Sequence, residues 1–117
     1  MKHRTFSESL KDAFKGLFFA MRHERNMGYH ILAAGIVLVV SFHFHLDRIE
    51  LLFVCTAIFL VIITEMINTA VEAVVDLYTS EYHHLAKVAK RVAAGAVLCA
   101  ALFSLVVAYL VFADKLW

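Results

Sequence analysis

The sequence predicts an all-α integral membrane protein, in which an N-terminal amphipathic surface helix precedes three transmembrane helices. Of its 117 residues, 62% are hydrophobic, and the mean hydropathy is +0.78. Soluble domains are usually about half apolar, so this excess indicates burial in a bilayer. The apolar residues also gather into long runs separated by polar segments. With no proline and only four glycines to form a linker, we expect one domain over residues 1–117.

The first predicted element is a surface helix over residues of about 5–24. Its bulky apolar side chains, which include Phe6, Leu10, Phe14 and Phe18, recur at steps of three and four and form one stripe. Charged side chains lie off this stripe. A helix of this kind can lie in the headgroup region with its apolar face towards the acyl chains.

Three long apolar stretches follow, at about 29–46, 51–75 and 92–113. A helical span needs roughly 20 residues, and the last two stretches meet that length. The first is shorter and has polar residues near its ends, among them His30 and His43. We predict that all three are transmembrane helices.

The basic residues predict the orientation of these spans. Six of the eleven precede the first span, and one lies in the turn that follows it. Three more lie in the predicted connection 76–91, and the last lies in the C-terminal tail. This alternation predicts that the N-terminus and the 76–91 connection face the cytoplasm and that the C-terminus lies outside.

The second span carries a polar seam of Glu65, Asn68, Glu72 and Asp76. At 100° per residue these side chains fall within roughly 80° of one another on a helix. A charged side chain near the middle of a span costs about 2.5–3.5 kcal/mol on insertion scales, and such residues are usually functional. Three carboxylates would repel one another unless a cation or a proton intervened, so packing alone is a poor explanation for them.

Clustered carboxylates suit two chemical tasks. Some can hold Mg²⁺ together with nucleotide phosphates, and a deeper one can accept a proton from a hydroxyl nucleophile. Phosphoryl transfer needs little more than these functions and positive charge near the phosphates. No P-loop or glycine-rich nucleotide motif is present. Glu24 and Lys90 are expected near the cytoplasmic end of the seam, which favours a kinase over the alternatives, a small proton-coupled transporter or a purely structural membrane oligomer.

The net charge of +1 gives no indication of nucleic-acid binding.

The segment 65–76 also follows the pattern E-x-x-N-[ST]-A-[IV]-E-x-x-x-D at every fixed position. In this it resembles the small prokaryotic diacylglycerol and undecaprenol kinases. The resemblance extends over nearly the whole chain, through Glu24-Arg25-Asn26, the loop 80–83, Ala89-Lys90 and the segment 93–98.

This resemblance implies an ATP- and Mg²⁺-dependent lipid kinase of the bacterial inner membrane. The expected assembly is a homotrimer that shares active sites between subunits at the cytoplasmic face. Glu65 would be the general base, and Glu24 and Glu72 would bind the metal that carries ATP. The residues that would line the nucleotide site are Glu81, Tyr82, His83 and Lys90. Asn68 and Asp76 would support the site.

Two points concern the detail of the match. Arg91 stands where members of the family usually have Asp, so a role in ATP binding rests here on its charge alone. Residues 25–26, His30 and the segment 93–98 look more like undecaprenol kinases, whereas the loop 80–83 looks more like diacylglycerol kinases. We favour the conversion of undecaprenol to undecaprenyl phosphate, with the conversion of diacylglycerol to phosphatidic acid as the alternative.

Overall fold

A computed structural model describes residues 4–78 and 81–116, and within them the chain forms four helices. These are α1 (Phe6–His23), α2 (Arg25–His43), α3 (Arg48–Tyr78) and α4 (His84–Leu116). The last three are long and apolar enough to cross a membrane. The predicted all-helical architecture with three candidate spans is therefore confirmed, and the protein is a membrane protein.

Helix α1 begins and ends at well-defined caps. The Thr5 hydroxyl accepts a hydrogen bond from the Glu8 amide at 3.2 Å, which is the usual way to satisfy a free amide in the first turn. At the other end Glu24 leaves the helical conformation, with φ −98° and ψ 111°, while its amide still bonds to Ala20 O. Because α2 starts at the next residue, Glu24 is the corner between the two helices. Ala20 and Met27 are buried on either side of this corner and fix it.

A tight turn joins α2 to α3. Helix α2 ends at His43, three residues before the predicted end of the first span, and His45 takes a positive φ of 53° in the turn. Asp47 and Glu50 then cap α3 reciprocally, because each side chain accepts a hydrogen bond from the other's amide. Lys115, near the end of α4, pairs with Glu50 at 2.7 Å and so joins the last turn of α4 to the first turn of α3.

Helices α3 and α4 pack against each other over most of their length. Their buried contact includes Val54, Ala57, Val107 and Val111, and further along α4 the small residues at 93 and 100 are buried as well. Small side chains let two helices approach closely inside a membrane. This contact holds α3, and with it the polar seam, in a fixed orientation towards α4.

Both long helices extend beyond the predicted spans. Helix α3 has 31 residues and α4 has 33, or about 46 and 50 Å at 1.5 Å per residue, whereas the hydrocarbon core is only about 30 Å thick. The predicted connection 76–91 thus shrinks to the residues between Tyr78 and His84, and Lys90 and Arg91 lie on α4 itself. Ser80, which belongs to the loop in the resemblance, lies outside the described residues.

Candidate active site

The polar seam is present on α3, and its exposure increases along the helix. Glu65 is only 3% exposed, Asn68 is partly buried, and Glu72 and Asp76 are exposed. The seam therefore leads from the interior of the helix bundle to the surface at the end where α3 meets α4.

Glu65 is paired with His30 of α2. The imidazole Nε2 lies 3.0 Å from Oε1 of the carboxylate, and the two side chains are 28% and 4% exposed. A buried carboxylate is costly without a hydrogen-bonding partner, and His30 supplies one from the neighbouring helix. In the sequence, His30 lies near an end of the first predicted span and is one of the features that resemble undecaprenol kinases. Its position gave no indication that it would meet Glu65.

Thr69 joins the seam to the corner between α1 and α2. Its hydroxyl oxygen lies 3.3 Å from Glu24 Oε2 and 3.0 Å from the carbonyl oxygen of Glu65, so its single proton can serve either acceptor. Glu24 thereby contacts α3 at Thr69, one helical turn after Glu65. No role was predicted for Thr69, although its place four residues after Glu65 on the same helix could have indicated one.

Asn68 and Glu72 lie next along the seam. The Asn68 amide nitrogen donates a hydrogen bond to Glu72 Oε1 at 3.2 Å. The other amide atom, Oδ1, is buried and has no hydrogen-bond partner in the part of the chain that the structure describes. Buried polar atoms are normally satisfied, so this oxygen is available to a group that the chain itself does not supply.

The donors at this level of the seam fit a nucleotide-bound magnesium ion. Among residues 4–78 and 81–116, no three His, Cys, Asp or Glu side chains converge as a metal centre. Mg²⁺, however, seldom uses an all-protein cage and is usually held by one or two carboxylates together with phosphate oxygens and water. Glu24, which contacts Thr69, and Glu72, which accepts a hydrogen bond from Asn68, offer such carboxylates, and Asn68 also has the unpartnered oxygen.

A second cluster lies where α3 gives way to α4. Lys90 donates a hydrogen bond to Asp76 at 2.7 Å, which ties the end of the seam to α4. These two residues line a pocket of about 250 Å³ whose other polar lining residues are Glu81, Tyr82, His83 and Lys87.

Local contacts shape this pocket. The Lys87 ammonium lies 5.4 Å from the centre of the Tyr82 ring, within the range of a cation–π contact. His83 Nδ1 accepts a hydrogen bond from the Leu85 amide, which helps to start α4. The structure therefore gathers the predicted residues of the 81–83 loop beside Lys90. Lys87 also belongs to the pocket, although sequence analysis counted it only as a charge that orients the protein.

Arg91 lies apart from this cluster. It is exposed on α4 and is not among the residues that line the pocket. Successive residues of a helix point about 100° apart, so Arg91 and Lys90 cannot both face Asp76.

The chain is similar to known proteins over most of its length. The prokaryotic diacylglycerol kinase family profile matches residues 11–112. The chain is 40% identical to the undecaprenol kinase of Bacillus subtilis over 111 residues, which cover 95% of this chain and 90% of that protein. It is 39% identical to the diacylglycerol kinase of Synechocystis over 100 residues, covering 85% of this chain and 57% of the relative. For the Escherichia coli K12 diacylglycerol kinase the identity is 33% over 105 residues, covering 90% and 83%.

Three candidate membrane spans, a carboxylate seam that ends at a pocket lined by Lys87 and Lys90, and these relatives together define a lipid kinase. The chain belongs to the prokaryotic diacylglycerol kinase family. It therefore catalyses ATP-dependent phosphoryl transfer to a lipid, and the resemblance noted in the sequence is confirmed.

Proposed function

We propose that this kinase transfers the γ-phosphoryl group of ATP to undecaprenol, giving undecaprenyl phosphate. The observation that carries the proposal is the connected seam, in which the buried pair of Glu65 and His30 is joined through Thr69 to Glu24. An undecaprenol kinase that is 40% identical and is covered over 90% of its length supports this lipid. Diacylglycerol is the alternative acceptor, because two other relatives, 39% and 33% identical to this chain, are named diacylglycerol kinases.

Glu65 is proposed as the general base that removes the proton of the acceptor hydroxyl. A carboxylate at this depth can be reached from the bilayer by the head of a lipid whose chain stays in the apolar phase. An apolar groove of about 280 Å³ between α2, α3 and α4 suits such a chain, since it is bounded by His30 at one end and Phe112 at the other. In this arrangement the hydroxyl group would lie at the end of the groove nearest the seam.

Glu24 and Glu72 are proposed to hold Mg²⁺ together with the phosphates of ATP, with the Asn68 oxygen close by. When bound, the ion neutralises phosphate charge, the main electrostatic requirement of this reaction. The chain's own part is to fix the two carboxylates. Thr69 does this for Glu24 and Asn68 does it for Glu72.

The pocket beside Lys90 is proposed to bind the rest of ATP, through Glu81, Tyr82, His83 and Lys90. Lys90 can offset the phosphate charge, and Tyr82, which is largely exposed, can stack on a flat ring. Asp76 supports the site by holding Lys90 in place. Arg91 is assigned a lesser part, as an exposed positive charge on α4 outside the pocket.

The proposed setting is the bacterial inner membrane, with the N-terminus and the nucleotide pocket at the cytoplasmic face and the C-terminus outside. Helix α1 would lie on that face, since it exposes Phe6, Phe14 and Phe18. The chain would assemble as a homotrimer with shared active sites. Large apolar side chains along α2, α3 and α4 are exposed in the single chain, as a subunit interface or a lipid contact would require.

The lipid assignment is tested by direct competition. Purified protein in proteoliposomes receives γ-labelled ATP, Mg²⁺ and equimolar undecaprenol and diacylglycerol, and the labelled lipids are separated. We expect label in undecaprenyl phosphate to exceed label in phosphatidic acid at equal acceptor concentration. Predominant labelling of phosphatidic acid would replace the proposed acceptor with the alternative, and labelling of neither would contradict both.

Arg91→Ala is expected to raise the KM for ATP by less than about sixfold, because an exposed charge pair contributes only about 0.2–1 kcal/mol. The KM for the lipid should not change. Arg48→Ala is the matched control, since Arg48 is an exposed arginine at the far end of α3. Steady-state kinetics at two salt concentrations checks this, because screening should shrink the effect. Higher activity in Arg91→Asp than in the parent would contradict any use of this arginine in ATP binding.

A further inference from the structure

We propose that α1 is a docking surface for anionic phospholipids, whose headgroups are bound by three basic side chains on one side of the helix, Lys11, Lys15 and Arg22. The inference rests on the proposed setting of α1 at the membrane surface and names the class of lipid that the helix contacts there. The exposure of α1, its place in the chain and the arrangement of its charges carry it.

Most of α1 is not packed against the rest of the protein. Ala20, in the last turn, is its only buried residue, Leu17 is partly buried, and all its other residues are exposed. The exposed residues include large apolar side chains, and Phe6, for example, is 83% exposed. A continuous apolar surface of this kind usually marks a site of interaction. Something other than the rest of this chain must therefore cover the apolar stripe of α1.

The place of α1 in the chain indicates that a bilayer covers this stripe. The first candidate span, α2, starts at Arg25, and only Glu24 separates it from α1. Ala20 and Met27 are buried at this corner and hold the last turn of α1 against the bundle. The helix therefore begins its course at the end of a span. Helices with a bulky apolar side and a charged side lie in the headgroup region.

The three basic residues lie together beside the apolar stripe. At 100° per residue, Lys11, Lys15 and Arg22 fall within about 40° of one another around the helix. The next position around the helix is Phe18, at the edge of the stripe. Long basic side chains can lay their methylene groups on an apolar surface and hold the charge at its polar edge. With the stripe turned towards the acyl chains, all three charges would lie at the level of the lipid phosphates.

These three charges are free to bind a ligand. None of them takes part in an ion pair within residues 4–78 and 81–116, and none lines the pocket beside Lys90. The acids of α1 do not cancel them. Asp12 is neutralised by Arg4, and Glu8 lies in the first turn, where a carboxylate offsets the positive end of the helix dipole. An anionic leaflet attracts basic residues next to a span, so the surplus positive charge fits that surface.

The lipids around α1 can be identified by fluorescence quenching in vesicles. Phe14→Trp, made together with Trp117→Phe, places the only tryptophan of the chain on the apolar stripe. The vesicles contain equimolar phosphatidylcholine and phosphatidylglycerol, with bromine on the acyl chains of one lipid or the other. We expect brominated phosphatidylglycerol to quench about two- to fivefold more strongly, up to the factor that about 1 kcal/mol for one basic residue at an anionic surface corresponds to.

Variants of the same protein test which residues cause the preference. The triple variant of Lys11→Gln, Lys15→Gln and Arg22→Gln should be quenched equally by the two lipids, because the stripe stays in place and glutamine is a good helix former. Arg48→Gln is the control for the loss of an exposed basic residue, and it should keep the parental ratio. High salt should lower the ratio in the parent, since exposed charges are screened.

Three results would overturn the proposal. Equal quenching by the two lipids in the parent would show that α1 does not select anionic lipids. Quenching by neither lipid would show that the stripe is covered by protein, whether a second copy of this chain or another partner. A preference that survives in the triple variant would assign the binding to other residues. Kinase activity is measured on the same vesicles, so an inactive parent would contradict the proposed function while the quenching still decides the role of α1.

Discussion

Glu65→Gln is expected to lower kcat by at least about 10²–10⁴-fold, because glutamine keeps the shape of the side chain and removes only its basicity. The buried site should tolerate this change, since the amide can still hydrogen bond to His30 across the 3.0 Å contact. ATP affinity and assembly should stay close to those of the parent. Transfer to lipid, nucleotide binding by calorimetry and size-exclusion profiles in detergent would be measured on the same preparations.

The matched control is Glu50→Gln, which makes the same substitution on the same helix. Glu50 lies at the opposite end of α3, partly buried and paired with Lys115. We expect it to cost some stability and to leave kcat near the parental value. If Glu65→Gln lost assembly and ATP binding along with activity, Glu65 would be a structural residue and the general-base proposal would be wrong.

Glu24→Gln and Glu72→Gln are each expected to raise the Mg²⁺ concentration needed for half-maximal activity by about 10- to 100-fold, the range typical when groups around a metal are removed. ATP binding should weaken in parallel, because the ion and the nucleotide bind together. The physical reason is that Glu24 contacts α3 at Thr69, one helical turn before Glu72, so that both carboxylates are proposed to serve one ion. Activity measured as a Mg²⁺ titration at fixed ATP checks this expectation.

The double variant distinguishes a shared ion from two independent effects. Residues that bind the same ion should show a combined loss smaller than the sum of the two single losses in free energy. Glu8→Gln is the control for the loss of a negative charge, because Glu8 is exposed in the first turn of α1, on the proposed cytoplasmic side. Additive losses with an unchanged Mg²⁺ requirement would leave Glu24 as a corner residue without a metal role.

The helical pattern was predictable because it depends on residues close together in the sequence. Long apolar runs require membrane-spanning helices, and the spacing from Glu65 to Asp76 alone places the carboxylates on one face. The ends of the helices were less predictable. The apolar residues end where the hydrocarbon core ends, whereas the backbone hydrogen bonds of α3 and α4 continue beyond it into the polar region. Residues 76–91, which were predicted to form a connection, are therefore mostly helical.

By itself, the sequence determined the class of protein, the seam on α3 and the family, because each follows from local spacing or from a contiguous motif. Only the tertiary structure decided which side chains meet. His30 pairs with Glu65 across 35 positions, Glu24 meets Thr69 across 45, and Lys90 meets Asp76 across 14. Such contacts depend on the rotation and relative height of packed helices, which arise from the whole interface. For the same reason the structure directs Lys90 into the pocket beside Asp76 and leaves Arg91 outside it.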